Sequence, residues 1–384
     1  MTLLLLAACA KSVLPLFESH RAAALAAPAE LPRNWKPHAA VAVGWQAVDE
    51  VVDAALVAQG ELGGAVQLGP IKIEPELRVV SAKVRDGACD GCLRVDATLD
   101  GTLHGSGLGG KWTAPASGSL ALEATLSSVP ADAGFDLVVT PVRVLQAKVE
   151  AGGRQVALDT APLGTWLANQ ALAQLSPIPL AHVGDRDAPL RAVRVDAVGE
   201  GLVVELATSA HTGALASLPR PPAKGWTAWL APDAAVDLGR TAAFDQGPVS
   251  HDVVPVPESL DLDGDAFRLV LRLWRPVGKG WWRDVAVNGT LAISKGKVSL
   301  RATSAEEVAQ SRGAVLVDPL AAIAEGAILD AVEVAITTSL PASTDTHLAG
   351  TQVKVELDAI TGRPDAIEVQ GSLVAKAHRA TLRR

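Results

Sequence analysis

The sequence predicts an α+β fold of two pseudo-repeated modules. Three observations carry this expectation. One order of elements is written twice after residue 38: an amphipathic helix, alternating strands, a helix entered through proline and a closing strand pair. Repetition at that scale reads as one unit used again. The strands alternate apolar and polar residues with a period of two, as sheets with one dry face do. The apolar residues are mostly Ala, Val and Leu: 49% of the chain is hydrophobic but only 3% aromatic, with no Tyr and four Phe.

The first unit opens with WQAVDEVVDAALVAQG, where Val48, Val51, Val52, Ala55 and Leu56 share one helical face and Asp49, Glu50 and Asp53 another. Its counterpart is PDAAVDLGRTAAF. Both contain Ala-Val-Asp, at Ala47 to Asp49 and Ala235 to Asp237, although Gly239 weakens the second helix. Strands follow. GSLALEATL sets Leu120, Leu122 and Ala124 against Ala121, Glu123 and Thr125, and AFRLVLRLW sets Phe267, Leu269, Leu271 and Leu273 against a face with Arg268 and Arg272. NGTLAISKGKVSLRA reads as a hairpin turning at Lys295 to Lys297.

The second helices, APLGTWLANQALAQLS and DPLAAIAEGAILDAV, begin with Pro162 and Pro319, where the first turn has no amide hydrogen bond to lose. Leu163, Trp166 and Leu167 occupy places matching Leu320, Ile323 and Ala324. The closing pairs lie at 193–210 and 355–375, with Val193, Val195, Asp196 and Ala197 matching Val355, Leu357, Asp358 and Ala359. The Pro-rich LASLPRPPAKGW separates the units, which divide as 39–219 and 220–384; residues 10–38, rich in Ala and Pro, read as a tether.

A net charge of -8 without a long basic run leaves no electrostatic footprint for nucleic acid. Leu3 to Ala8 is too short for a membrane span, which takes about 20 residues as a helix. Leu6, Ala7, Ala8 and Cys9 instead resemble a bacterial lipobox. That resemblance implies a signal over residues 1–9, acylation of Cys9 and a periplasmic lipoprotein held in a bacterial membrane. Two acyl chains supply the two signals that stable anchoring needs. Ala10 stands where an aspartate holds some lipoproteins at the inner membrane, which points toward the outer one.

Cys89 and Cys92, in RDGACDGCLRV, have the spacing of a redox pair, half a metal site or a small disulfide. A zinc site would need two further ligands that no motif supplies. A redox pair would open a helix, whereas these residues flank a turn, so an exported chain favours the disulfide.

In element order and periodicity, residues 39–384 resemble the tubular lipid-binding superfamily, and most of all the bactericidal/permeability-increasing-like proteins. The resemblance implies that each module wraps a long, strongly twisted antiparallel sheet around an amphipathic helix. The two would join end to end through a shared sheet and form an elongated apolar tube or groove. It further implies a phospholipid or other acyl lipid as partner, bound for transfer or shielding, with no catalytic residue, cofactor or metal. Lining residues would be Val48, Val52, Leu56, Leu163, Trp166, Leu167, Phe267, Leu269, Leu271, Leu320 and Ile323. The small aliphatic interior agrees, because a curled sheet lined with such side chains leaves a gap. Burying a chain of ~14 methylenes there is worth on the order of 11 kcal/mol, nearly what a bilayer offers, so exchange would be close to neutral.

Several motifs carry competing readings. GSGLGG at 105–110 matches a dinucleotide fingerprint, but KWTAPASG follows it in place of a helix, so a hairpin loop is expected. DLDGD at 261–265 has the alternation of a calcium loop without its closing glutamate and reads as a turn. His104, His182 and His251 show no ligand spacing, and there is no G-x-S-x-G elbow. RPVGKGWWRD places Lys279, Trp281 and Trp282 at a hairpin tip, suited either to headgroup docking or to packing on the sheet, with Lys111 and Trp112 as a counterpart. Two other functions remain open: a structural or adhesive β-rich envelope protein, and a hydrolase of lipid or glycan.

Overall fold

The computed structural model describes residues 12–58, 61–89, 91–107, 110–132, 134–152, 161–174, 178–184, 190–249, 252–278, 280–294, 297–311, 343–348 and 351–375. The chain begins with α1 (Leu14–Ala24), β1 (Ala39–Gly44) and α2 (Trp45–Ala58). Strands β2 (Glu61–Gly63), β3 (Val66–Leu68), β4 (Ile71–Asp86), β5 (Cys92–Gly107), β6 (Gly110–Ala131) and β7 (Gly134–Ala151) follow. After α3 (Ala161–Gln174) come β8 (Ile178–Val183), β9 (Leu190–Val198), β10 (Gly201–Thr208), β11 (Trp226–Leu230) and α4 (Pro232–Gln246). The remainder is β12 (Val254–Asp263), β13 (Ala266–Arg275), β14 (Trp281–Ser294), β15 (Lys297–Gln310), β16 (Ser343–Leu348), β17 (Thr351–Arg363) and β18 (Ala366–Ala375).

A seven-stranded sheet in the order β16-β17-β18-β11-β1-β10-β9 joins the two halves of the sequence. At its centre β1 runs antiparallel to β11, with Val43 opposite Trp226. The β9–β10 hairpin adds beside β1, and the β17–β18 hairpin adds beside β11. The two closing pairs of the sequence therefore take corresponding places on either side of the β1–β11 join. Each central strand leads into a helix, β1 into α2 and β11 into α4. Gly239 does not interrupt α4. A Cβ there would lie 3.1 Å from the Pro257 ring, so the glycine brings the helix close to β12.

The other sheets follow chain order, β2-β4-β5-β6-β7-β8 with β3 on β4, and β12-β13-β14-β15. At about 3.3 Å per residue, β4 to β7 and β12 to β15 run roughly 30 to 70 Å and curl under their own twist. A bulge between Val79 and Ser81 lets the inward face of β4 pass from odd residues (Ile73, Leu77, Val79) to even ones (Ala82, Val84). Turns fall where the sequence puts them: at the cysteine pair between β4 and β5, at Gly264 between β12 and β13, and between Ser294 and Lys297. The G-x-G-x-x-G match is a hairpin tip, with Gly107 opposite Gly110. Among the described residues no helix is long and apolar enough to cross a membrane.

Three expectations need correction. Residues 10–38 are not a simple tether, because α1 packs Phe17 and Ala24 against Phe244, Val254, Val256 and Trp274. The wet face of β6 ends at Ser119: Leu120 through Ala124 are all buried, and Glu123 takes a hydrogen bond from Arg143 Nε at 2.6 Å. The arginine face of β13 is covered at its Arg272–Trp274 end, while Arg268 stays part-exposed. Trp274, on that face, is fully buried, and Arg272 forms a two-pronged pair with Asp284 at 2.7 and 2.8 Å. Period-two alternation shows which side chains share a face and not whether another layer lies upon it.

Candidate functional site

The inward faces of β4, β5, β6 and β7 contribute aliphatic side chains to one buried cluster, which α2 and α3 join. Along β5 the set is Leu93, Val95, Ala97, Leu99 and Leu103, all of one parity. It covers about 33 Å at the usual strand rise. Val48 and Val52 of α2 and Leu163, Trp166 and Leu167 of α3 close onto the same cluster. Five expected lining residues from two distant helices thus meet on one sheet. The side chain of Leu56, and Leu320 and Ile323 with the helix expected at 318–332, lie outside the described residues.

Phe267 and Leu271 belong to a separate cluster with Val285, Val287 and Leu291, and Leu269 packs partly buried against it. Ile360 and Ile367 from the central sheet complete that cluster. The two expected groups of lining residues therefore form two apolar interiors, one in each half.

Polar groups fix the walls. Asp53 Oδ1 accepts the Ala82 N–H at 2.7 Å and Asp49 Oδ1 accepts the Val84 N–H at 2.6 Å, which ties α2 to β4. Trp45 Nε1 donates to the Gly199 carbonyl at 3.0 Å, holding the start of α2 to the β9–β10 turn. The indole N–H of Trp166 is buried with no acceptor among the described residues, as are those of Trp226, Trp229, Trp274 and Trp281. A recess of about 310 Å³ is lined by Ser81, Lys83, Thr98 and Gln146, polar and outward on this sheet, together with Ala121. It has the chemistry of a solvent-facing groove.

Trp281 packs with the second cluster, and Trp282 sits beside Trp274 with the Arg272 guanidinium 4.6 Å above its ring. Both indoles are half-buried on opposite sides of the strand, while Lys279 lies outside the described residues. Trp112 packs partly buried against the first cluster. Cys89 and Cys92 are bridged across the β4–β5 turn, with Cα atoms 5.2 Å apart. Cys9 lies outside the described residues.

Two features escaped sequence reading. The carboxylates of α2 look like an ordinary solvent face, and only their i, i+4 spacing beside a long strand hints at edge capping. The buried cluster of Phe17, Phe244 and Trp274 joins segments more than 200 residues apart and leaves no local signal.

No family model and no curated protein matches this sequence. Among solved structures, lipopolysaccharide binding protein overlays with a TM-score of 0.40 at 11% identity, covering 88% of this chain and 99% of that one. P47 of Clostridium botulinum E1 gives 0.43 at 8% identity over 88% and 99% of the two chains. P47 from Clostridium botulinum A2 gives 0.36 at 9% over 88% and 97%. Likeness at this level assigns this chain neither an activity nor a ligand.

Proposed function

We propose that this chain is a bacterial envelope lipoprotein of two lipid-binding modules, anchored at the outer membrane through Cys9, that takes up acyl lipid for transfer or shielding. The observation that carries the reading is the aliphatic track from Leu93 to Leu103 of β5, interrupted only at Gly101, which shares one buried cluster with α2 and α3. Its length exceeds that of an extended fatty acyl chain. Its side chains are small, so a chain entering between sheet and helix meets smooth methyl surface, each buried CH₂ contributing about 0.8 kcal/mol. A lipid ester oxygen would also give the buried Trp166 N–H an acceptor, which none of the described residues supplies.

The reading includes no covalent chemistry. His104 does touch Thr102, Thr113 and Glu76, at 3.2, 3.1 and 3.4 Å. That set lies on an open strand surface, where the neighbouring backbone follows the β4–β5–β6 ladders. It offers no pair of free N–H groups to receive an oxyanion.

A structural envelope protein is the second reading, favoured by one observation. Ile73, Leu103, Leu163 and Leu167 are each 0% exposed, so these parts of the interior are closed by their own side chains. Native mass spectrometry of the full chain carrying Cys9→Ala separates the two. Co-purified acyl lipid, and fluorescent fatty acid binding well above that of an unrelated β-protein, support the carrier. Absence of both leaves the structural reading.

A further inference from the structure

The indole of Trp166 stands between the first apolar interior and an exposed turn. Its ring belongs to the buried cluster with Leu62 of β2 and with Leu163 and Leu167 of α3, and Trp166 is only 8% exposed. On its other side lies the β2–β3 turn. A Cβ at Gly64 would stand 2.9 Å from Trp166 Nε1 and 3.5 Å from both Cε2 and Cζ2. Those distances put that point near the ring plane just off the N–H, so the indole donor is aimed at the turn, where the glycine carries only a hydrogen. Gly64 and Ala65 are exposed. The donor therefore lies one glycine away from solvent, yet no described residue accepts from it. A buried donor without an acceptor is a cost that any acceptor reaching it removes.

Of the two elements that meet at this point, the helix is the fixed one. A Cβ at Gly164 would come within 2.7 Å of the Ala147 carbonyl, so the start of α3 lies directly on β7. The hairpin is held by less: β2 pairs with β4 over Glu61–Gly63, and β3 over Val66–Leu68. Such short pairings at a sheet edge open at low free-energy cost. Lifting the turn uncovers the N–H and the apolar ring behind it together. The walls are neutral. α3 carries no charged residue, and the one charge of the hairpin, Glu61, sits opposite Arg78 on the exposed face of β4. A neutral donor in neutral walls suits a carbonyl oxygen, whereas a carboxylate brought there would lose its hydration without gaining a cation.

Resting on the reading of this interior as a lipid site, we infer that the β2–β3 turn is its mouth and that Trp166 is a specificity-determining residue there. The turn lifts, the acyl chain lies against the cluster, and the indole N–H donates to the ester carbonyl at the head of the chain. The headgroup stays outside, past Gly64 and Ala65.

Titration calorimetry of the full chain carrying Cys9→Ala tests this with dioctanoyl phosphatidylcholine and its dioctyl ether analogue, which differ in the carbonyls alone. This protein should bind the ester about three- to tenfold more tightly, the usual net worth of one hydrogen bond. Adding Trp166→Phe, which keeps an aromatic ring and removes the donor, should lower the ester affinity to that of the ether and leave the ether unchanged. Hydrogen–deuterium exchange places the contact without that variant. Exchange over residues 61–68 should change several-fold when the ester saturates the protein, while the turn between Asp263 and Ala266, in the other half, stays as it was. Equal affinities for ester and ether, a preference kept by Trp166→Phe, or unaltered exchange over 61–68 would overturn the mouth and the role of Trp166 while leaving a lipid site in place. If neither lipid binds, the carrier reading itself falls, and this inference with it.

Discussion

Asp53 accepts the backbone N–H of Ala82 at 2.7 Å, and one helical turn earlier Asp49 accepts that of Val84 at 2.6 Å. The edge of β4 is covered by β2 only as far as Arg78. Beyond that point its outward N–H groups recur every second residue, about 6.6 Å apart, close to the 6 Å rise of an i, i+4 helix pair. Two carboxylates on α2 thus continue the edge where β2 ends, leaving less exposed backbone for another chain to pair with.

Removing either carboxylate should loosen this seam. Asp53→Ala and Asp49→Ala should each cost about 1 to 2 kcal/mol, the lower range for hydrogen bonds to a charged group at a partly exposed site. Asp53→Asn, which keeps an acceptor oxygen, should cost less. Urea denaturation measures the loss, and exchange at Ala82 and Val84 should quicken. Unchanged exchange there would remove the capping role.

The second apolar interior gives a paired test of lipid capture. Leu269 packs in the cluster of Phe267 and Leu271, whereas Arg268, on the other face of β13, meets Glu306 at 3.4 Å. Leu269→Glu should weaken fatty acid binding by placing a charge among methylenes, and Arg268→Glu should leave it unchanged. Matched circular dichroism and thermal midpoints separate loss of binding from loss of fold. Equal affinities in two folded variants would count against this interior as a lipid site.

The bridge between Cys89 and Cys92 closes a loop with a sequence separation of 3. So small a loop restricts the unfolded chain little, and reduction should lower stability by about 2 kcal/mol. Gly87 N–H still reaches the Cys92 carbonyl at 2.8 Å, so the turn should survive reduction. Thiol quantification in material quenched with acid at isolation checks the bond, and two free thiols in this pair would refute it.

His38 sits at the join of the central sheet, its N–H bonded to the Leu206 carbonyl and its own carbonyl to Ala231 N–H. Its Nδ1 accepts from Thr208 N–H at 3.2 Å. Burial, and then the charge of Arg191, hold its pKa below the usual 6.5, against opposing contributions from Asp237 and Thr208. Below about pH 6.5 the unfolded chain therefore takes up a proton that the folded chain refuses, and stability falls as the pH drops toward the folded-state pKa. Above that window the contribution is flat. Urea midpoints at pH 7.5 and 5.5 should differ less in His38→Gln than in the parent, and an identical difference would exclude His38 as the source.

Local sequence determined a great deal about this protein, because period, proline and turn chemistry act over a few residues. The helical stripe of Val48 and Val52, the proline start of α3, and the turns at Gly264 and at the cysteine pair all stand where their residues put them. The meeting of α2 and α3 on one aliphatic sheet is of another kind: their stripes say that each must bury a face, not that they share one. Tertiary structure alone decided what covers each element's second side. Asp49 and Asp53 carry the pattern of a solvent face, yet they bond β4, because a carboxylate is as well satisfied by a strand-edge N–H as by water. Trp274 alternates with the arginines, yet it is buried, because α1 returns across it from the far end of the chain. β1 and β11 pair across more than 180 residues, and no local period encodes a partner at that distance. Sequence fixes an element's faces through short-range sterics and hydrophobicity. Which faces meet depends on contacts whose loop-closure cost and packing gain exist only in the assembled fold.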